Sequence, residues 1–311
     1  NGTANVSPET RMRIEQAMKE LNYIPNELAR GMFKQKAGII AMLVPSIRHP
    51  YFSSLAKYIE DALYQNGYKL MLCSTGDDVE REKEYLKILK SNIVDGVIMG
   101  TNNQEPEAYE QFGKPLVMLD YYVSDKVPVV VSDHAQGGFL AAQEFIKSGC
   151  KYVLHIGSEA ETERVLSYES HRVLQKTLEE KGIRARELDI KWNTFDYDGY
   201  LELSKLILEK YPEIDGIMAA DMPASAFLKA AVQIGKKIPE DICVVSYDGT
   251  FVSNTNILEV TTIHQPMEKI GHTSVEVLLK LLKGEELEKT YMKFPVQIKP
   301  GQTTRAHQIN I

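Results

Sequence analysis

The sequence predicts an α/β protein of two similar open parallel sheets covered by helices, with a short helical arm ahead of them. Two observations predict it. Short apolar runs alternate with amphipathic helical stretches from Ile39 onward, and the alternation starts again at Tyr152, as in parallel sheets with helical crossovers. Ahead of both, Ser7-Pro8-Glu9 places a hydroxyl, a proline and an acid where a helix start favours them. The 311 residues suit two domains, and 43% hydrophobic with 25% charged residues is ordinary globular composition. No run of about 18 apolar residues occurs, so no membrane partner is expected. Cys73, Cys150 and Cys243 lie far apart among apolar neighbours and read as buried thiols of a reducing cytoplasm.

In the arm, Ile14, Ala17, Met18 and Leu21 recur at i, i+3, i+4 and i+7, giving the first helix one apolar stripe to bury. Pro25 stops it, because the residue before a proline is pushed out of helical geometry. The segment 26–32, Asn-Glu-Leu-Ala-Arg-Gly-Met, starts on a capping residue but is shorter than the ~12–15 residues an isolated helix needs. Gly31 costs it roughly 1 kcal/mol more, so it is expected to be melted when alone. Residues 1–36 hold six basic and four acidic side chains, a net +2, which leaves −9 on the remainder of a chain of net −7. An acidic body repels DNA, so nucleic-acid contact belongs to the arm.

The body follows the basic linker Lys34-Gln35-Lys36. The first series reads as strand 39–44, ended by Pro45, helix 52–66, strand 69–73, helix 80–91, strand 95–99, strands 116–119 and 129–132, and helix 136–147. The second reads as strand 152–156, helix 171–181, strand 188–192, helix 200–210, strand 215–220, helix 224–233 and strand 242–247. A tail adds an extended segment at 261–266, a helix at 271–283 and a strand at 296–299.

Through PNELAR, VDGVIM, IPEDICVVSYD and LEVTTIHQPMEKIG, the chain resembles the LacI/GalR family of bacterial repressors over essentially its whole length. The resemblance implies two lobes of periplasmic-binding-protein type behind the remnant of a helical DNA-binding headpiece. Residues 1–36 would be its third helix and hinge helix, 37–148 plus 264–293 the first lobe, and 149–263 plus 294–311 the second. Three crossings would join the lobes, which suits hinge closure on a ligand. The headpiece's first two helices, the recognition helix included, would precede Asn1, and without them the chain should not bind its operator specifically. Asn26, Leu28, Ala29, Arg30 and Met32 take the hinge-helix positions, Arg30 near phosphates and Met32, where the family usually has leucine, as a minor-groove wedge. A homodimer is implied, because a palindromic operator is read by two headpieces.

Ligands of open parallel sheets bind beyond the carboxyl ends of the strands. Those ends carry Ser46 with His49-Pro50-Tyr51-Phe52, Asp120, Asp133, the loop 157–170, Phe195, Asp221 and Asp248. Rings stack on the apolar faces of sugars and carboxylates accept bonds from neighbouring hydroxyls. By resemblance, Tyr51, Phe52, Asp133, Phe195, Asp221 and Asp248 match effector positions. The family's second-lobe arginine is replaced by Ser170, with Arg164 or Arg172 as substitutes nearby. For Asp133 and Asp221, helix capping stands equally beside ligand contact, and one of Tyr51 and Phe52 reads as helix packing.

The implied function is a repressor of a carbohydrate-utilisation operon that senses a small sugar between its lobes and binds operator DNA. The segment 245–250, Val-Ser-Tyr-Asp-Gly-Thr, with Gln265-Pro266 and residues 301–304, resembles regulators of sucrose or fructose-side uptake in low-GC Gram-positive bacteria. Ribose and trehalose stay open, as does a catabolite-control regulator answering to a phosphorylated carrier protein. A solute-binding receptor would have no use for the hinge helix. A glycosidase would need a carboxylate of raised pKa, and no such signal is visible in the sequence. The seven histidines show no ligand-like spacing, and neither G-x-x-x-x-G-K nor G-x-S-x-G occurs, so no metal, no cofactor and no enzymatic activity are expected.

Overall fold

The computed structural model describes residues 7–21, 36–91, 93–157, 163–189 and 196–307. The first sheet holds β1 (Ile39–Val44), β2 (Lys69–Ser74), β3 (Gly96–Met99), β4 (Leu116–Leu119), β5 (Val129–Ser132) and β11 (Tyr291–Phe294), in the order β11-β5-β4-β3-β1-β2. The second holds β6 (Tyr152–Gly157), β7 (Arg184–Asp189), β8 (Gly216–Ala220), β9 (Cys243–Asp248), β10 (Thr261–His264) and β12 (Gln297–Lys299), in the order β12-β10-β9-β8-β6-β7. The described pairings are parallel except β12 with β10.

The central strands read as unbroken apolar runs because both of their faces are covered. In β1, Ile40, Met42 and Val44 enter one core and Ala41 and Leu43 the other. In β6, Leu154 and Ile156 face one way and Val153 the other. The first-lobe layer of Leu55, Ile59, Ile270 and Leu278 comes from helices α2 (Pro50–Gln65) and α10 (Met267–Leu282), with α3 (Val79–Leu89) and the short α4 (Pro106–Glu110) on the other face. In the second lobe α7 (Tyr197–Lys210) and α8 (Asp221–Gln233) cover one face. The opposite face is covered by α5 (His134–Lys147) and α6 (Glu169–Glu179). A single-turn helix, α9 (Phe251–Asn254), follows β9.

The lobes repeat one device. Asp95, before β3, accepts from the backbone N–H groups of Ala37 and Gly38, both at 2.7 Å. Asp215, before β8, accepts from those of Lys151 and Tyr152 at 2.8–2.9 Å. Each carboxylate pins the start of its lobe's first strand. The glycines that follow, Gly96 and Gly216, let a helix close in: a Cβ there would stand 3.1 Å from Leu278 of α10 and 3.0 Å from Phe145 of α5.

The main difference from expectation is the place of α5. The expected boundary at residue 148 puts this helix in the first lobe, but Ala141, Ala142 and Phe145 pack with Val153, Leu174, Met218 and Cys243 of the second. The chain therefore crosses after Ser132, again between His264 and α10, and a third time between β11 and β12. An apolar helix face says that the helix is covered, not by which sheet. β7 begins at Arg184, four residues before the expected strand, because this edge strand carries four charged residues, Arg184, Arg186, Glu187 and Asp189, that hide its pattern. β11, half-exposed at an edge of the first sheet, escaped expectation because its four residues, Tyr-Met-Lys-Phe, are too short and mixed to read as an apolar run.

In the arm, α1 (Pro8–Glu20) is capped by the Ser7 hydroxyl on the Thr10 N–H. Its apolar stripe is not covered by the described residues: Ile14 is 50% and Leu21 78% exposed. Residues 26–32 lie outside the described residues.

Replacing Asp95 by alanine should leave two backbone N–H groups of the linker without partners. A loss of about 1–3 kcal/mol in urea unfolding is expected, with Asp95→Asn keeping part of it.

Candidate effector site between the lobes

The carboxyl ends of the two sheets face a shared cleft of about 640 Å³. Its first-lobe wall holds His49, Tyr51 and Phe52 at the start of α2, with Asp120 beyond β4. The second-lobe wall holds Tyr168, Ser170 and His171, with Asp221, Tyr247 and Asp248 at strand ends. His134 and Gln265, on two crossings, form the back. Helix α2 starts at Pro50 because the His49 ring accepts the Tyr51 N–H at 3.2 Å; proline needs no N–H partner there. The ring of His49 meets that of Phe52 edge-on at 5.1 Å, and burial lowers its pKa to about 3.

A chain of hydrogen bonds runs from lobe to lobe. The Tyr51 hydroxyl donates to Asp120 at 3.4 Å, and the same carboxylate meets His134 Nε2 at 2.9 Å. His134 Nδ1 lies 2.9 Å from the Tyr247 hydroxyl. Burial first, then the charges of Asp248 and Asp120, holds Tyr247 far above the usual phenol range, so it stays a donor. Asp120 is an acceptor, so the His134 nitrogen that faces it, Nε2, carries a proton. A second chain passes behind it: Ser132 donates to Gln265 Oε1 at 2.7 Å, and Gln265 Nε2 donates to Asp248 at 2.8 Å.

The carboxylates are held at a cost. Asp248 has φ 108° and Asp120 φ 53°, backbone regions that side chains rarely adopt and that cluster at functional sites. Burial, then repulsion from Asp221, raises the Asp248 pKa well above the ordinary range. Burial also raises Asp221, against the hydrogen bonds it accepts from the Thr250 N–H at 2.5 Å and the Thr250 hydroxyl at 2.6 Å.

A strap of the second lobe lies on the first. Arg164 O accepts from the Tyr122 N–H and Asp120 O from the Leu166 N–H, both at 2.9 Å, and the Arg164 guanidinium donates to Val123 O at 2.6 Å. Val165 and Leu166 pack on the first-lobe core.

This architecture has known counterparts. Residues 1–26 match the model of the bacterial regulatory proteins, lacI family, and residues 142–304 that of the periplasmic binding protein-like domain. A ribose operon repressor of Halalkalibacterium halodurans is 34% identical over 98% of this chain and 91% of its own. The chain belongs to the LacI family. A sucrose operon repressor of Pediococcus pentosaceus is 33% identical over 97% of this chain and 93% of its own. Among solved structures, a periplasmic binding protein/LacI transcriptional regulator from Alkaliphilus metalliredigens, complexed with D-xylulofuranose, matches with TM-score 0.75 at 26% identity, over 86% of this chain and 99% of that one.

In this LacI-family chain the cleft brings together Tyr51, Phe52, Asp221 and Asp248 of the expected contacts. It does not bring in Ser46, whose hydroxyl accepts the Arg48 N–H in the turn after β1. Asp133 caps α5 through the Gln136 N–H at 3.0 Å and pairs with Lys293 at 3.1 Å, the capping alternative. Arg172 points outward and pairs with Glu169, so it does not replace the family's arginine. Phe195 and the hinge positions Asn26, Leu28, Ala29, Arg30 and Met32 lie outside the described residues. Sequence reasoning missed His134, which fell between an expected strand and helix, and Tyr247 and Gln265, which sit inside extended patterns; Asp120 was visible only as a strand end.

The sign of the Asp248 effect is testable. With its folded pKa raised, ionising it costs stability as pH climbs from the unfolded carboxylate value through the folded one. Asp248→Asn keeps the oxygen that Gln265 needs and removes the charge. Thermal melts should show a higher midpoint for this variant at pH 7.5, with the gain shrinking toward pH 4.

Proposed function

We propose that this chain is the sensor part of a sugar-responsive repressor of a carbohydrate-utilisation operon, acting as a cytoplasmic homodimer on operator DNA through its N-terminal arm. The observation that carries the reading is the chemistry of the cleft. Tyr51 and Phe52 line one wall and Asp221 and Asp248 the other, with the Asp120–His134 pair also in the lining. Such a set takes a small polyhydroxylated ligand, with stacking on C–H faces and bonds to vicinal hydroxyls.

The same lining selects a neutral sugar. It contains Asp77, Glu105, Asp120, Asp221 and Asp248 and neither lysine nor arginine among the described residues, so a sugar phosphate would meet acids without a counter-charge. The relatives named for ribose and sucrose operons support a sugar of one or two rings. The ligand acts only through unequal affinity for open and closed lobes, and the two hydrogen-bonded chains at the crossings are where that difference is felt. The protein performs no chemistry on the sugar in this reading.

Emission of Trp192, the sole tryptophan, followed during titration with ribose, sucrose, fructose, glucose, trehalose and their phosphates, with calorimetry alongside, tests it. Saturable binding of one neutral sugar, recovered unchanged, is expected, with no response to its phosphate. Asp248→Ala should weaken that binding by roughly ten-fold, on the order of one lost hydrogen bond. Silence toward every neutral sugar would favour a regulator that answers to a phosphorylated carrier protein.

A further inference from the structure

We propose that the second lobe carries a zinc-class divalent-cation site made by His155 of β6, His171 of α6 and Glu187 of β7, beside the cleft. Ligand atoms of these three side chains lie within 4.8 Å of one another. The sequence hides them: sixteen residues and a change of element separate the two histidines.

The geometry suits a divalent cation. His155 Nδ1 and His171 Nδ1 are 3.1 Å apart, close to the ~3.3 Å edge between two nitrogens bound at ~2.05 Å in a tetrahedral zinc site. A Cβ on Gly157 would stand 2.8 Å from Glu187 Oε1 and 3.1 Å from His171 Nδ1, so the glycine leaves open the space where carboxylate and imidazole converge. The Tyr168 hydroxyl donates to Glu187 Oε2 at 2.9 Å and orients the carboxylate, as partners of metal-binding carboxylates do.

Two imidazoles and one carboxylate match the three-ligand sets of zinc sites that keep a fourth position open. Gly157 and His171 also line the effector cleft, so the fourth ligand would come from that side. The proposal is independent of the sugar reading, because ion binding is measured with no sugar present.

The test uses the full chain, free of affinity tag and dialysed against chelator. Zinc chloride is followed by calorimetry, and cobalt chloride by visible absorption. One ion per chain and the intense absorption of tetrahedral cobalt are expected. His171→Ala should abolish the cobalt spectrum and Glu187→Gln should weaken zinc at least about tenfold, each variant checked for the parent's circular dichroism. His155 is fully buried and is left intact so that folding is not confounded. Absence of saturable zinc binding, or either variant binding like the parent, would overturn the site and leave the cluster as a hydrogen-bonded network.

Discussion

A strand buried on both faces carries most of its polar chemistry at its ends. Much else in this molecule follows from that. The strands β1, β3 and β4 are apolar throughout, so the first lobe's recognition groups can appear only where the chain leaves them, at His49, Tyr51 and Asp120. In the second lobe Asp221 and Asp248 stand at the same ends of β8 and β9. Two sheets that turn these ends toward one another make a polar cleft between apolar bodies, and three crossings at its back make it a hinge.

The cleft works against stability, which is informative in itself. Asp248 combines a positive φ, a buried charge and a neighbouring carboxylate, and each would be cheaper to avoid in a purely structural position. Its hydrogen bond from Gln265 offsets part of this, yet the pKa remains raised because a single donor does not replace the water lost on burial. Asp221 differs. Its oxygen Oδ2 is engaged by Thr250, so it holds the turn into α9 while lining the cleft. Groups with costs of this kind persist where a ligand can supply the missing partners.

The sequence was legible where periodicity and burial speak directly. The run 39–44, the aspartate ends of β8 and β9, and Tyr51-Phe52 at the start of α2 follow from local pattern and the rule for open sheets. What it could not reveal depends on which element covers which. Helix α5 has an apolar face that either sheet could cover, and its packing on the second lobe is settled by Phe145 meeting Gly216. His134 looks like an ordinary first-turn residue until the crossing sets it between Asp120 and Tyr247. For Asp133, one residue earlier, capping and ligand contact read equally, and its carboxylate takes the Gln136 N–H as a cap. Arg172 failed by direction: on its helix it faces solvent and Glu169, whereas His171, one step round the same helix, faces the cleft.

How a closed cleft would be felt at DNA is constrained by where the arm is tied. Asp95 holds Ala37 and Gly38 at the head of β1, and the Lys36 ammonium rests 4.5 Å over the Tyr68 ring. Both anchors belong to the first lobe, and α10 packs on α2 within that same lobe. The base of the arm therefore moves with the first lobe as a unit. In one isolated chain such motion turns the arm without giving it anything to be measured against. In the proposed homodimer a second copy would supply that reference: a swing of each first lobe about the Ser132 and Gln265 crossings would change the separation of the arm bases, and a palindromic operator reads separation. The hinge and a pairing of copies are thus a single requirement of the proposed reading, and the sugar's leverage is bounded by its preference for one lobe arrangement over the other.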